Sequence, residues 1–244
     1  MSKGVFLVTG GSRGIGEAIA RDGAAAGYHV LLTYASRADT AEAVVASIRA
    51  AGGKADAVQA NTGKGEDIVR MFQVADAIGP LSVFVYNGGI VGAVGRLEDQ
   101  PDDMLAEVIA VNLTGAMIAC REAVRRMSTR FGGKGGAIVL ISSLAARIGA
   151  PNRHLWYAAS KGGVNSLALG LSKEVAADGV RVNVVSPGPI NSEIHPPGHL
   201  DRIRDVLPTK RIGEPEEVSA AVMFLASDKA SYVIGEILEV GGGV

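Results

Sequence analysis

Val5-Phe6-Leu7-Val8-Thr9-Gly10-Gly11-Ser12-Arg13-Gly14-Ile15-Gly16 is an apolar run of strand type that breaks into glycines, then into a helical pattern over residues 15–26. The order strand, glycine loop, helix suits a bound phosphate group. Glycines at 10, 14 and 16 permit a tight turn, close backbone approach to a pyrophosphate, and close packing of helix on strand. The helix N-terminus adds N–H groups and positive dipole. The spacing is G-x-x-x-G-x-G. Gly10, Ser12, Arg13, Gly14, Ile15 and Gly16 are therefore candidate phosphate-binding residues, with a ligand-free glycine turn as the competing reading.

Beyond this stretch, β-type runs recur at residues 29–34, 55–60, 83–86, 137–142, 180–186 and 234–240, after a first strand at 5–9. The runs at 83–86 and 137–142 are almost purely apolar, as parallel strands covered on both faces should be. Segments 15–26, 41–51, 66–77, 104–126, 157–177 and 216–226 have helical composition; in 66–77, Ile68, Val69, Phe72 and Ala75 form an apolar stripe. This alternation predicts an α/β fold: one Rossmann-type, doubly wound domain over residues 1–244, with a parallel sheet of about seven strands and helices on both faces. Residues 190–209 are irregular and follow a strand, which predicts a substrate lid.

With 48% hydrophobic residues, 20% charged residues and 33 glycines among 244, the chain is too apolar for disorder and suits many tight strand–helix turns. A net charge of −1 gives no electrostatic footprint for nucleic acid or an anionic membrane. No uninterrupted apolar stretch approaches the roughly 20 residues that span a bilayer. Met1-Ser2-Lys3-Gly4 does not read as a signal peptide. The lone Cys120, set among Met117, Ile118 and Ala119, reads as a buried thiol in a reducing compartment. A soluble, cytoplasmic protein is expected.

Two further stretches carry chemistry. After the second strand comes Thr33-Tyr34-Ala35-Ser36-Arg37, with no acid before Asp39. A carboxylate there would bond a ribose 2′-OH and repel a 2′-phosphate; Ser36, Arg37 and Arg13 instead suit the phosphate. NADP(H) is thus the preferred cofactor and NAD(H) the alternative. Further on, Trp156-Tyr157-Ala158-Ala159-Ser160-Lys161 sets a tyrosine four positions before a lysine. On a helix the two share a face, and a cation beside a phenol lowers its pKa towards use in acid–base chemistry.

Taken in order, these motifs resemble the short-chain dehydrogenase/reductase family over essentially the whole chain, with most similarity to its 3-oxoacyl-carrier-protein reductase type. They are Thr9–Gly16, Tyr86-Asn87-Gly88-Gly89, Asn112, Ser142-Ser143, Tyr157 with Lys161, and Pro187-Gly188-Pro189-Ile190-Asn191-Ser192. The resemblance implies that Tyr157 exchanges a proton with a carbonyl or alcohol oxygen. It implies that Lys161 lowers the tyrosine pKa and bonds the nicotinamide ribose, that Ser143 holds the substrate oxygen, and that Asn112 supports a water chain to Lys161. Of the two serines, Ser143 has the family's separation from the tyrosine. Asn87, Gly89, Pro187, Gly188, Ile190 and Ser192 would contact the cofactor. The long helices resemble those that pair between family subunits and imply a homotetramer. The implied substrate is a small carbonyl or secondary alcohol, with an acyl thioester among the options.

Several residues depart from the family pattern. Tyr86 and Gly88 stand where asparagine and alanine are usual, Asn61 stands for an aspartate that contacts adenine, and Gly241 stands for an aspartate near the C-terminal glycines. Asn61 is expected to accept the adenine bond through its side-chain carbonyl. His154 and Trp156 read equally as substrate contacts or as loop packing. Glu193, His195, His199 and Asp201 do not form a compact ligand pattern, so no metal is expected. Arg202, Arg204, Asp205, Lys210 and Arg211 read as a solvated face, with an anionic carrier as the alternative. Two other functions compete with an oxidoreductase: an idle dinucleotide-binding regulator or scaffold, and a dehalogenase-like lyase. The lyase would carry arginine in place of Lys161 and lack the glycine loop.

Overall fold

The computed structural model describes residues 3–192 and 198–244. Its seven strands are β1 (Val5–Val8), β2 (His29–Tyr34), β3 (Lys54–Gln59), β4 (Leu81–Tyr86), β5 (Gly136–Ile141), β6 (Val180–Pro187) and β7 (Ile237–Val240). They form one sheet in the order β3-β2-β1-β4-β5-β6-β7, parallel throughout. From β1 the chain winds outward to β3, then returns to β4 and winds the other way. This reversal opens a crevice at the carboxyl ends of β1 and β4, where ligands of such sheets bind.

Helices α1 (Gly14–Ala25), α2 (Ala38–Ala50), α3 (Gly65–Ile78), α4 (Asp102–Ile109) and α5 (Gly115–Met127) follow the first strands. The rest are α6 (Ala145–Ile148), α7 (Leu155–Val175), α8 (His199–Arg204) and α9 (Pro215–Ala226). One face of the sheet buries Phe6, Val8, Val30, Val85 and Val139 with Ile19, Val44, Val218 and Val222 of α1, α2 and α9. The other buries Leu7, Phe84, Tyr86 and Ile138 with Phe72, Ala119, Val164 and Ala168 of α3, α5 and α7. Burial on both faces explains the unbroken apolar character of β1, β4 and β5.

Three expectations need correction. The predicted helix 104–126 divides into α4, a π-helical turn over Ala110–Thr114, and α5. Composition did not mark the turn because all three pieces are equally helical in character. Within Asp102–Met127 an 18-residue window also reaches a mean hydropathy of 1.5, apolar enough by length and composition to cross a membrane. Packing accounts for that apolarity: Ala116, Ala119, Cys120, Ala123 and Met127 lie in the core. The last strand begins at Ile237, not at 234, because Gly235 takes a left-handed φ of 75°. Finally, the irregular stretch 190–209 carries α8.

Candidate active site

The glycine loop is held by its neighbours. Gly11 N–H donates to the Thr33 carbonyl (2.9 Å) and Gly10 N–H to Thr33 Oγ1 (3.2 Å), fixing the loop to the end of β2. Gly10 and Gly14 have φ of 63° and 52°, and a Cβ on Gly16 would stand 2.1 Å from the Gly10 carbonyl oxygen. Only glycine fits there. Arg13 sits at the N-cap of α1 in an extended conformation, and its side chain does not cap the helix. Gly14 faces Ser192 across the crevice, at 3.4 Å from an added Cβ to the Ser192 Cβ. Ser36 and Arg37 are exposed at the end of β2, beside β1.

Asn87 has a task that the sequence did not reveal. Its Nδ2 donates to the carbonyls of Thr9 (3.1 Å) and Gly10 (3.0 Å), so it braces the loop from beneath. Thr9 Oγ1 answers by accepting the N–H groups of Asn87 and Gly88, each at 3.0 Å. Asn61 Oδ1 already accepts the Gly63 N–H at 2.9 Å, which leaves one lone pair for an adenine. The Gly241 departure also has a packing cause: a Cβ there would lie 2.3 Å from Leu144 Cδ1 in the serine loop.

Ser143, Tyr157, Lys161 and Asn112 converge at the carboxyl ends of β4 and β5. The Ser143 side chain lies beside Tyr157, and its hydroxyl accepts the Ala145 N–H at 3.1 Å. Ser142 instead donates its hydroxyl to the Lys161 carbonyl (3.1 Å), tying strand β5 to helix α7. Lys161 is buried; its Nζ donates to the Ile141 carbonyl at 2.7 Å and lies 5.7 Å from the Tyr157 ring centroid. Burial pulls its pKa down to about 8. Burial also raises the Tyr157 pKa, against the neighbouring Ser143 side chain that lowers it. The Lys161 ammonium donates to Ile141 and not to the phenol, and burial is the largest influence on the Tyr157 pKa.

Asn112 is fully buried on the π turn. Its Oδ1 accepts the Ile90 N–H (2.9 Å), and its Nδ2 donates to the Ile90 carbonyl (2.8 Å) and to Ser160 Oγ (3.0 Å). Ser160 Oγ donates in turn to the Tyr157 carbonyl at 2.7 Å. Asn112 thus ties the segment after β4 to the catalytic helix, and Ser160, missed by sequence reasoning, is the link. A Cβ on Gly89 would stand 3.2 Å from Asn112 Oδ1 and 3.4 Å from Lys161 Nζ, so this glycine leaves the floor open.

Other candidates resolve into packing. Trp156 is buried and donates Nε1–H to the Val91 carbonyl at 2.8 Å, which settles it as loop packing. His154 stacks edge-on against it and contacts the Ala93 carbonyl; burial lowers its pKa. Ile190 is buried against Gly213, so its side chain packs at the base of the span between β6 and α9. Pro187 ends β6, and Gly188 N–H donates to the Val240 carbonyl at 2.9 Å. Arg211 is clamped on Glu217 and Lys210 donates to the Asp205 carbonyl, consistent with a solvated face. Glu193 and His195 lie outside the described residues, as do the side chains of His199, Asp201 and Arg202.

Comparison with known proteins agrees with this geometry. A family model for enoyl-(acyl carrier protein) reductase matches residues 10–244. The uncharacterized oxidoreductase YgfF of Escherichia coli (strain K12) is 44% identical over 98% of this chain and 99% of its own. The 3-oxoacyl-[acyl-carrier-protein] reductase FabG of Staphylococcus epidermidis is 37% identical over 98% and 97%. The crystal structure of a short-chain dehydrogenase from Burkholderia cenocepacia J2315 in complex with NADP matches with a TM-score of 0.93 at 33% identity, over 99% of this chain and 98% of that one. The chain belongs to the short-chain dehydrogenase/reductase family of oxidoreductases.

Proposed function

We propose that the protein is an NADP(H)-dependent reductase of ketones or related carbonyl compounds, with Tyr157 as the proton donor. The observation that carries this reading is Tyr157 standing beside Ser143, with the buried Lys161 ammonium 5.7 Å from the phenol ring. The glycine cradle at the N-terminus of α1 fits a dinucleotide, which would supply or accept the hydride. Gly10, Ser12, Gly14, Ile15, Gly16 and Ser192 would hold its phosphates. Arg13, Ser36 and Arg37 would hold a 2′-phosphate, by planar bidentate contacts in the case of the arginines. Asn61 would meet the adenine, while Gly89, Pro187, Gly188 and the Ile190 backbone would line the nicotinamide. Asn87 serves indirectly, through the loop it braces.

With its pKa raised, the phenol keeps its proton at neutral pH and is poised to give it to a carbonyl oxygen. Ser143 steadies the charge that develops on that oxygen. Lys161 supplies positive potential beneath the phenol and hydrogen bonds to the ribose, and Asn112 holds its surroundings in register. The likeness to FabG, a 3-oxoacyl-[acyl-carrier-protein] reductase, supports a β-ketoacyl thioester among the substrates to try.

The test is cofactor absorbance with NADPH and NADH across ketones and β-ketoacyl thioesters, with Tyr157→Phe alongside. Turnover with NADPH that the substitution abolishes is expected. Preference for NADH would overturn the Arg13/Arg37 argument alone; full activity in Tyr157→Phe would overturn the mechanism.

A further inference from the structure

Tyr86 is the last residue of β4, fully buried, where relatives of this type usually carry asparagine. Its hydroxyl donates across the core to the carbonyl of Val111, inside the π turn. In an α-helix that carbonyl would be taken by the Gly115 N–H. Here the Gly115 N–H reaches one residue further back, to Ala110. The wider turn has therefore diverted the ordinary donor of Val111, and the phenol provides one in its place. The Thr62 side chain stands beside the same hydroxyl. Gly115 completes the arrangement, since a Cβ there would stand 2.6 Å from Tyr86 Oη and 2.1 Å from the Thr62 carbonyl oxygen.

The Val111 carbonyl and the Asn112 N–H belong to one peptide plane. Whatever fixes Val111 therefore fixes the start of Asn112, whose side chain binds Ile90 on one side and Ser160 of the catalytic helix on the other. From these contacts we infer that Tyr86 is a positioning residue: its hydroxyl holds the π turn so that Asn112 keeps Tyr157 and Lys161 in register with the floor at Gly89. The inference rests on the proposed function, because register matters only if these residues carry the proton. It also gives the Tyr86 departure a role within the site.

Tyr86→Phe removes one oxygen and keeps the ring that packs edge-on against Phe84. The variant is to be compared with wild type, with Tyr157→Phe, and with Phe84→Leu as a control for loss of core packing on the same strand. Readouts are NADPH-dependent reduction of acetoacetyl-CoA or of another ketone turned over by wild type, the pH profile of kcat, and hydrogen exchange at residues 110–116. Tyr86→Phe is expected to lower kcat about tenfold or more with KM within about twofold, since small misplacements at a reacting centre are costly. The high-pH limb should shift and exchange at 110–116 should quicken, while Phe84→Leu changes none of the three. Wild-type kcat, pH profile and exchange in Tyr86→Phe would overturn the positioning role, with the reductase reading intact if Tyr157→Phe is dead. Turnover surviving in Tyr157→Phe, or no turnover in wild type, would overturn that reading and this inference with it.

Discussion

Lys161 carries a cost that its neighbours do not remove. Its ammonium is buried with one protein acceptor, and burial brings its pKa from 10.5 to about 8. The neutral form is favoured in the folded protein, so the group contributes its full stability only above 10.5, and that contribution is lost as pH falls through about 8. At pH 7 the folded protein therefore bears the charge, at a ceiling of about 3 kcal/mol. Lys161→Met is expected to be inactive yet about 1–2 kcal/mol more stable at pH 7, the difference being the lost bond to Ile141. Denaturant titration at pH 7 and pH 10 checks this, because the advantage should shrink as pH rises from about 8 to 10.5. The identity of this lysine was plain from its spacing to Tyr157. Its acceptor was not, because Ile141 lies on a different element and the pattern specifies no partner for a cation. The family resemblance pointed to Ser143 over Ser142, whereas the bond from Ser142 to α7 joins two elements that no local pattern relates.

Among the elements, the π turn shows where sequence reading stops. Residues 104–126 read correctly as helical, but widening one turn leaves no mark on composition. The marks that exist, Tyr86, Thr62 and Gly115, are scattered over three segments and gain meaning only once β4 lies beneath the helix. Two glycines separate the consequences. A Cβ at Gly115 meets backbone at 2.1 Å, so Gly115→Ala should lower stability by about 1–3 kcal/mol through overpacking. At Gly88 a Cβ would meet only Thr9 Oγ1 at 3.4 Å and Thr62 Oγ1 at 3.6 Å, an ordinary contact. Gly88→Ala, which restores the usual family residue, should be neutral or stabilising by about 0.4–1 kcal/mol through the unfolded chain. Urea unfolding of both variants measures the contrast.

For the whole molecule, strand–helix alternation and the glycine loop were enough to read a doubly wound parallel sheet, because two-sided burial writes apolar runs into every central strand. Strand and helix ends were less legible, being set by local turns such as that at Gly235. The homotetramer that the family resemblance implies would need apolar surface to bury, and exposed apolar side chains lie on several elements. Ile109, Met117 and Leu169 lie on α4, α5 and α7, and Phe224, Tyr232, Ile234 and Ile237 lie on and between α9 and β7. Exposed apolar patches mark surfaces that associate. Light scattering after gel filtration is expected to give about four times the 25.0 kDa chain mass, and a monomer at micromolar concentration would refute the assembly.

At the mouth of the crevice, the chain leaves the sheet after β6 and returns before α9 through a single clasp. Asn191 N–H donates to the Gly213 carbonyl (2.8 Å) and Gly213 N–H to the Pro189 carbonyl (3.0 Å). Because the clasp brings the two ends together, changes in the length of the span between them alter closure entropy only slowly, by about 0.6 kcal/mol per doubling. That span is thus a cassette: its sequence can diverge, lengthen or shorten with little penalty to the scaffold. A lineage built on this fold can therefore change what it acts on while Ser143, Tyr157 and Lys161 stay where they are.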